Sequence, residues 1–320
     1  MYVQYITVIT GKKYIAFKKN FVIINSSTSL ILSKINESEK LIMYKAVSIG
    51  DIGHGAKNFK ESAELCKKFG YEGYWFNIVV DSQIPVSETK EILKNTGLKA
   101  AGFGLPVEFR SDEAVFEADF AKLEGYAKYA AEIGATRSAT YILPFSNTYT
   151  YDDNYELHVS RLKKCSELLN EYGILLGLEF VGPPKLRKGA KYEFIYNLDG
   201  ILDLCNAIGT KNCGLLLDVF HWDMAGQTRD DFCKITNEQI ALVHIMDAPA
   251  GIAIEEQEDL IRRLPGETGV LKIAEFFDGL KSIGYDGPVA VEPFEKKLST
   301  MPFEQALKTV MTAINKVWSA

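Results

Sequence analysis

Leu176-Gly177-Leu178-Glu179, Leu215-Leu216-Leu217-Asp218, Ala241-Leu242-Val243-His244 and Val289-Ala290-Val291-Glu292 share one design, a short apolar run ending on a side chain able to bind a metal. In a closed barrel of parallel strands every strand C-terminus opens onto the same face, so four such endings converge there. Taken singly, a charged residue after an apolar run can cap a helix or pair with a lysine. Four of them on four strands carry more weight, because carboxylates are seldom placed beside buried runs without a partner. The expectation is an enzyme built around one ion.

The rhythm around these runs supports the barrel. From Tyr44 onward, short β-branched or aromatic runs alternate with segments whose Glu, Lys and Ala recur at helical spacing, which is the pattern of repeated βα units. The expected strands are Ala46 to Ile49, Gly73 to Asn77, Lys99 to Gly104, Ser138 to Leu143, Leu175 to Phe180, Gly214 to Asp218, Leu242 to Ile245 and Val289 to Glu292. Helices are expected near Phe59 to Phe69, Ser87 to Asn95, Glu113 to Ile133, Tyr155 to Tyr172, Asp199 to Ala207, Asp230 to Thr236, Leu271 to Ile283 and Pro302 to Val317. Gly70, Gly134, Gly173, Gly209 and Gly284 each close a helix just before the next strand, where a left-handed residue is wanted. The fold class is therefore α/β, a (β/α)8 TIM barrel over residues 43–320 with an N-terminal extension over 1–42. A doubly wound open sheet is the alternative, but Gly50-Asp51-Ile52-Gly53-His54-Gly55 lacks the G-x-G-x-x-G spacing that such a fold places after its first strand.

The first 42 residues mix lysines with short apolar patches at Phe21 to Ile24 and Leu30 to Leu32, separated by Asn25-Ser26-Ser27. That interruption argues against a secretory signal, and a poorly ordered extension ahead of Met43 is expected. Composition narrows the function. The chain has 320 residues, 47% of them hydrophobic, enough for a large core, and 36 basic against 42 acidic residues give a net charge of -6. An acidic chain offers no footprint for a phosphate backbone, so nucleic acid is not an expected partner. No uninterrupted apolar run reaches the length of a membrane span. Five cysteines in no paired spacing suit reduced thiols in a cytoplasm.

Two Glu, one Asp and one His make an oxygen-rich set for a divalent cation, Mn²⁺ foremost, with Mg²⁺, Co²⁺ or Zn²⁺ as alternatives. Other residues gather around the expected mouth. His221, three past Asp218, is a candidate for binding a substrate hydroxyl or moving a proton, with packing beside Trp222 as its ordinary role. Asp247 is a candidate for orienting His244 or touching substrate. His54 can reach the mouth from the first strand's loop, whereas His158, in a helix, is expected at the surface. Arg137, Lys185 and Arg187 are candidates for neutralising an anionic substrate group. Trp222, with Trp75, Phe76, Phe103 and Tyr141, stands at a strand exit where a ring can stack on a sugar. The Pro183 to Gly189 and Glu255 to Asp259 segments read as loops over the mouth, in the place of a lid.

At these residues the chain resembles the xylose isomerase-like TIM barrel superfamily, in particular its sugar phosphate isomerase/epimerase group. The order Glu179, Asp218, His244, Glu292 matches that group, as do Asp218-x-x-His221 and the Leu264-Pro265-Gly266-Glu267 turn, over approximately Tyr44 to Val317. The resemblance implies that the ion holds a ketose carbonyl and its neighbouring hydroxyl while Glu179 and Glu292 act on opposite faces of the carbon next to the carbonyl. A Lewis acid stabilises the enediolate so formed, and returning the proton elsewhere isomerises or epimerises the sugar.

Two departures stand out. Phe180-Val181-Gly182-Pro183-Pro184-Lys185 lacks the further Glu that ketose epimerases carry after the first ligand, and Asp247-Ala248-Pro249 replaces the arginine that commonly follows the histidine ligand. Four histidines are too few for the trinuclear zinc site of the superfamily's endonucleases. The expected protein is a metal-dependent isomerase or epimerase of a small sugar or keto-sugar. The alternatives are a lyase on a 3-keto sugar, with a small partner subunit over the mouth, and a non-catalytic sugar-binding barrel; the macromolecular partner expected is a second copy of the chain or that small subunit.

Overall fold

The computed structural model describes residues 43–55 and 58–318, together with the backbone of three short N-terminal strands. Those three, β1 (Ile6–Ile9), β2 (Lys12–Phe17) and β3 (Asn20–Ile24), form an antiparallel sheet in a compact unit of its own, Met1–Ile42. The apolar patch at Leu30 to Leu32 and the Asn25-Ser26-Ser27 break lie outside the described residues, as does most of the segment expected to be poorly ordered.

The second unit, Met43–Ala320, contains the remaining strands. In chain order they are β4 (Tyr44–Ser48), β5 (Gly73–Phe76), β6 (Lys99–Gly104), β7 (Arg137–Ile142), β8 (Phe145–Ser146), β9 (Leu175–Phe180), β10 (Tyr192–Glu193), β11 (Cys213–Asp218), β12 (Ile240–Ile245) and β13 (Pro288–Val291). Eight of them close a parallel barrel in the order β4-β5-β6-β7-β9-β11-β12-β13, and β13 returns to β4 through Pro288 opposite Tyr44 and Val289 opposite Lys45. An open doubly wound sheet is thereby excluded. β8 and β10, from the loops after β7 and β9, pair as a two-stranded ribbon.

Strand periodicity decides what faces inward. Leu216, Leu242 and Ala290 belong to a buried cluster with Tyr44, Ala46, Trp75, Ala101 and Ala139, one or two residues from each of seven barrel strands, and this cluster fills the barrel. Two residues further along their strands, on the same face, come Asp218, His244 and Glu292. The intervening Leu217, Val243, Val289 and Val291 join the larger core beneath the helices. The interior alanines leave room for Trp75, and Gly102 (φ +150°) is required beside it, because a Cβ there would lie 2.3 Å from the Trp75 ring. No helix among the described residues is long and apolar enough to cross a membrane.

The helices follow the expected pattern with one exception. Glu113–Ile133 begins at the Asp112 cap and ends at left-handed Gly134, and Leu198–Ile208 runs from the Asn197 cap to Gly209. The segment expected as a helix from Asp230 is instead a 3-10 helix, Arg229–Lys234, begun by a Thr228–Asp231 capping box. The first helix after β11 is Val219–Met224, which begins at Asp218 itself.

His158 is not at the surface. It sits in the helix Tyr151–Glu171, buried, with its ring 5.4 Å from Phe109 and 5.0 Å from Phe194, and its Nδ1 donates to the Asn154 carbonyl at 2.7 Å. Burial, with the nearby Arg110 and Arg161, lowers its pKa from 6.5 to about 4. The unfolded chain then binds the proton more readily, so this contribution to stability is complete above pH 6.5 and is lost as pH falls towards 4. A His158→Gln variant should therefore lose less stability than the parent between pH 7 and pH 4.5, by about 2–3 kcal/mol in denaturant titrations.

Candidate metal centre

The structure brings the four strand-end side chains together. Glu179 and His244 lie within β9 and β12, Asp218 ends β11, and Glu292 follows β13 by one residue. Registry aligns Asp218 with His244 and His244 with Ala290, which brings the endings of adjacent strands level. One ligand atom from each of the four residues falls within 4.8 Å of the others. His244 Nδ1 is 3.9 Å from Glu179 Oε1, 3.9 Å from Asp218 Oδ2 and 3.6 Å from Glu292 Oε2.

The donor chemistry fits a divalent cation. Glu179 Oε1 and His244 Nδ1 are buried and have no hydrogen-bond partner, although buried polar atoms are almost always satisfied. Three carboxylates and an imidazole also suit the hard-to-borderline ions of the Mn²⁺ and Zn²⁺ type. His244 Nε2 lies 3.9 Å from Asp51 Oδ2, beyond hydrogen-bond range, and it too is buried without a partner. Burial shifts these groups. It pushes Glu179 well above the usual carboxylate range, helped by the Asp218 and Glu292 charges. It raises Glu292 to about 7 and Asp51 to about 7, and it lowers both His244 and His221, the latter to about 4. Burial is the largest influence on Asp218 and opposes its ionisation, but Arg262, His221, His244 and the His221 backbone N–H together outweigh it and leave that pKa below its ordinary value.

Arg262 is the residue that sequence reasoning missed. Fully buried, its guanidinium donates to Asp218 Oδ2 and Glu292 Oε2, each at 2.9 Å, to Asp259 Oδ1 at 2.7 Å and to His221 Nε2 at 3.1 Å. It lies between the rings of Phe220 and Phe294, at 4.8 and 4.7 Å. The arginine absent from the position just after His244 is thus supplied from further along the same loop. Nothing in the Ile261-Arg262-Arg263 pattern distinguishes it from a solvated loop arginine, so no sequence signal marked it.

His221 does reach the site, from the helix Val219–Met224 rather than from a strand exit. Asp218 Oδ1 accepts the backbone N–H of Phe220 at 2.6 Å and of His221 at 3.2 Å, which fixes the helix start and leaves Oδ2 as the oxygen turned towards Arg262 and the quartet. Because Arg262 can only donate, His221 Nε2 accepts and its proton sits on Nδ1.

The other candidates are placed elsewhere. Trp222 is not a stacking platform, because it is buried against Phe232 and Phe276 at 6.2 and 5.4 Å. Arg187 lies 3.7 Å over the Tyr196 ring and donates to the Gly182 carbonyl, clear of the quartet. His54 bonds the Leu298 carbonyl at 2.8 Å in a separate hollow beside β4. Arg137 donates to the Ile240 carbonyl at the opposite, N-terminal end of the strands. Phe76 and Phe103 are core residues, whereas Tyr141 lines the cavity.

Asp247 neither orients His244 nor faces the cavity. Its carboxylate accepts five backbone N–H groups, from Ala248, Thr268, Gly269, Val270 and Leu271, at 2.7–3.1 Å, and its backbone pairs with Arg263 through two 2.8 Å bonds. It thereby shapes the loop that delivers Arg262. Asp247→Ala would strand those buried donors, and a loss of about 3 kcal/mol in denaturant unfolding is expected.

A cavity of about 660 Å³ opens beside the quartet, bordered by Glu179, Glu292, His221 and Arg262. The two loops expected over the mouth meet there: Lys185 Nζ lies 2.8 Å from Glu258 and 3.8 Å from Glu256, and Lys188 Nζ lies 3.4 Å from Glu256. Exposed pairs of this kind contribute about 0.2–1 kcal/mol each, enough to favour one loop arrangement without locking it.

Residues 63–316 match the family model described as "Xylose isomerase-like TIM barrel". The chain belongs to that family. It is an enzyme, as the named relatives in this xylose isomerase-like group are. The inosose isomerase of Halalkalibacterium halodurans is 26% identical over 266 residues, 79% of this chain and 88% of the relative. The D-psicose 3-epimerase of Enterocloster bolteae is 26% identical over 148 residues, 46% of this chain and 42% of the relative. Among solved structures, a xylose isomerase domain protein from Alicyclobacillus acidocaldarius superposes with a TM-score of 0.75 at 26% identity, covering 86% of this chain and 98% of that one. The IolI protein, solved with a bound zinc atom, gives a TM-score of 0.71 at 21% identity, over 87% and 100% of the two chains.

Proposed function

We propose that this barrel is a divalent-metal-dependent isomerase or epimerase of a sugar or keto-sugar, acting by proton transfer at the carbon next to a carbonyl through an enediolate. The observation that carries the reading is the quartet Glu179, Asp218, His244 and Glu292, with ligand atoms within 4.8 Å and two of those atoms lacking any protein partner. The inosose isomerase and psicose 3-epimerase relatives support the substrate class. Glu179, Asp218, His244 and Glu292 would hold the ion, with Mn²⁺ best suited to the oxygen-rich set. When bound, it supplies Lewis-acid stabilisation of the negative charge that develops on the substrate oxygen.

The chain's own groups do the rest. Glu179 takes the proton from the carbon beside the carbonyl, and the C–H electron pair moves towards the carbonyl oxygen. Glu292, protonated and on the opposite side of the mouth, delivers its proton either to the other face of that carbon, as the electron pair returns and the carbonyl re-forms, or to the former carbonyl carbon, while the neighbouring hydroxyl proton passes to the enediolate oxygen. His221, neutral and held by Arg262, presents its Nδ1–H to a substrate oxygen. Arg262 holds Asp218 and Glu292 in place and offsets their repulsion.

Mn²⁺-loaded protein incubated with inososes and ketohexoses in heavy water should incorporate deuterium next to the carbonyl, as read by NMR. Absence of exchange from every keto-sugar in the series would sink the reading. Product mass separates an isomerase, which conserves it, from a lyase. Residues 43–320 are proposed as the whole catalytic unit, so a chain starting at Met43 should keep its melting temperature and exchange rate. The five free cysteines, three of them buried, are compatible with a cytoplasmic setting.

A further inference from the structure

We propose that the substrate of this site carries an apolar, aryl-type substituent, lodged in a subsite formed by Tyr141, Leu143, Phe145, Leu186, Leu260 and Phe294. The inference rests on the metal-centre reading above and deepens it. The cavity beside the quartet measures about 660 Å³, the mid-range of pockets that enclose drug-sized ligands, and so exceeds what one sugar ring needs. Its polar lining comprises Glu179, Glu292, His221 and Arg262 at the reacting end, and Lys185, Glu258, Asp259 and Gln257, which are already engaged: Lys185 with Glu258, Asp259 with Arg262, and Gln257 Nε2 with the Pro249 and Ile252 carbonyls. The remaining wall is hydrocarbon and aromatic. A bare sugar extending across it would leave its hydroxyls without partners, whereas an apolar ring would lose only contact with water.

Two further observations point the same way. Leu260 is 67% exposed, Tyr141 44%, Leu143 38% and Phe294 36%, so large apolar side chains face solvent around one opening that adjoins the reactive groups. Phe294, two residues past Glu292, is the one non-glycine described residue with positive φ (42°). Strained backbone of this kind persists where the surroundings enforce it, commonly at ligand clamps. Here it sets the Phe294 ring against the Arg262 guanidinium at the cavity wall.

The test needs no turnover. Mn²⁺-loaded full-length protein is titrated calorimetrically with phenyl β-D-glucopyranoside and with methyl β-D-glucopyranoside. The phenyl glycoside should bind about 10- to 100-fold more tightly, as expected for burying one aromatic ring. Leu260→Asp and Leu143→Asp should each reduce that preference at least fivefold while leaving methyl glycoside binding unchanged. Leu260 is too exposed for its replacement to threaten folding. Equal affinities, no binding of the phenyl glycoside at millimolar concentration, or a preference that survives both substitutions would overturn the subsite. Loss of deuterium exchange with an intact phenyl preference would instead condemn the proton-transfer reading and leave the subsite standing.

Discussion

Glu292→Gln should cut deuterium exchange into keto-sugars by roughly 100- to 10,000-fold, the usual weight of a positioned acid or base. The substitution keeps the side chain's shape and an oxygen for Arg262 Nη1, now 2.9 Å from Glu292 Oε2; it removes one carboxylate charge from the quartet, so at saturating Mn²⁺ the ability to hold and release a proton is what the variant lacks. Sugar binding and melting temperature should therefore change little, and the loss should fall on kcat rather than on KM. A barrel that merely binds sugars makes the opposite forecast, because ligand affinity would be its entire function. Exchange rates within threefold of the parent, measured by NMR at saturating substrate, would remove Glu292 from the chemistry.

The second large effect concerns Arg262. Replacing it with Met keeps a flexible chain of similar length between Phe220 and Phe294 but leaves Asp218, Glu292 and Asp259 without their shared cation. Breaking a buried ion network from one side costs about 3–5 kcal/mol. For a chain of this size that lowers the melting temperature by roughly 6–20 °C in chelator-treated protein. Excess Mn²⁺ should recover part of the deficit, because a divalent ion on the quartet neutralises the same two oxygens that Arg262 now serves. Calorimetric melts with and without metal decide it. An identical deficit in both conditions would show that Arg262 and the metal do not share those charges.

Most of the barrel was legible in the chain because its signals are local. Leu175–Phe180 and Glu113–Ile133 have the bounds expected from an apolar run and from a cap-to-glycine helix, since nothing distant is needed to define them. The four strand-end side chains were legible for the same reason: an apolar run sets the strand, and the strand's end sets the place. What escaped depends on contacts remote in sequence. His158 is inside because Phe109 and Phe194 come to cover it. Asp247 is a loop organiser because five amides, four of them from residues 268–271, turn towards it. Arg262 and Asp51 lie on irregular loops with no periodicity to say which way a side chain points. The helix at Val219 was missed because Asp218, taken as a strand ending, is also its cap.

That double duty of Asp218 bears on which ions the site admits. With Oδ1 committed to two amides of the helix, only Oδ2 is left for a cation, so the residue can serve as a one-handed ligand and cannot grip with both oxygens. Calcium, which gathers six to eight oxygens and favours two-handed carboxylates, is poorly matched to such a donor. Smaller ions content with fewer, shorter bonds are better served, and the discrimination is already written into the first turn of a six-residue helix.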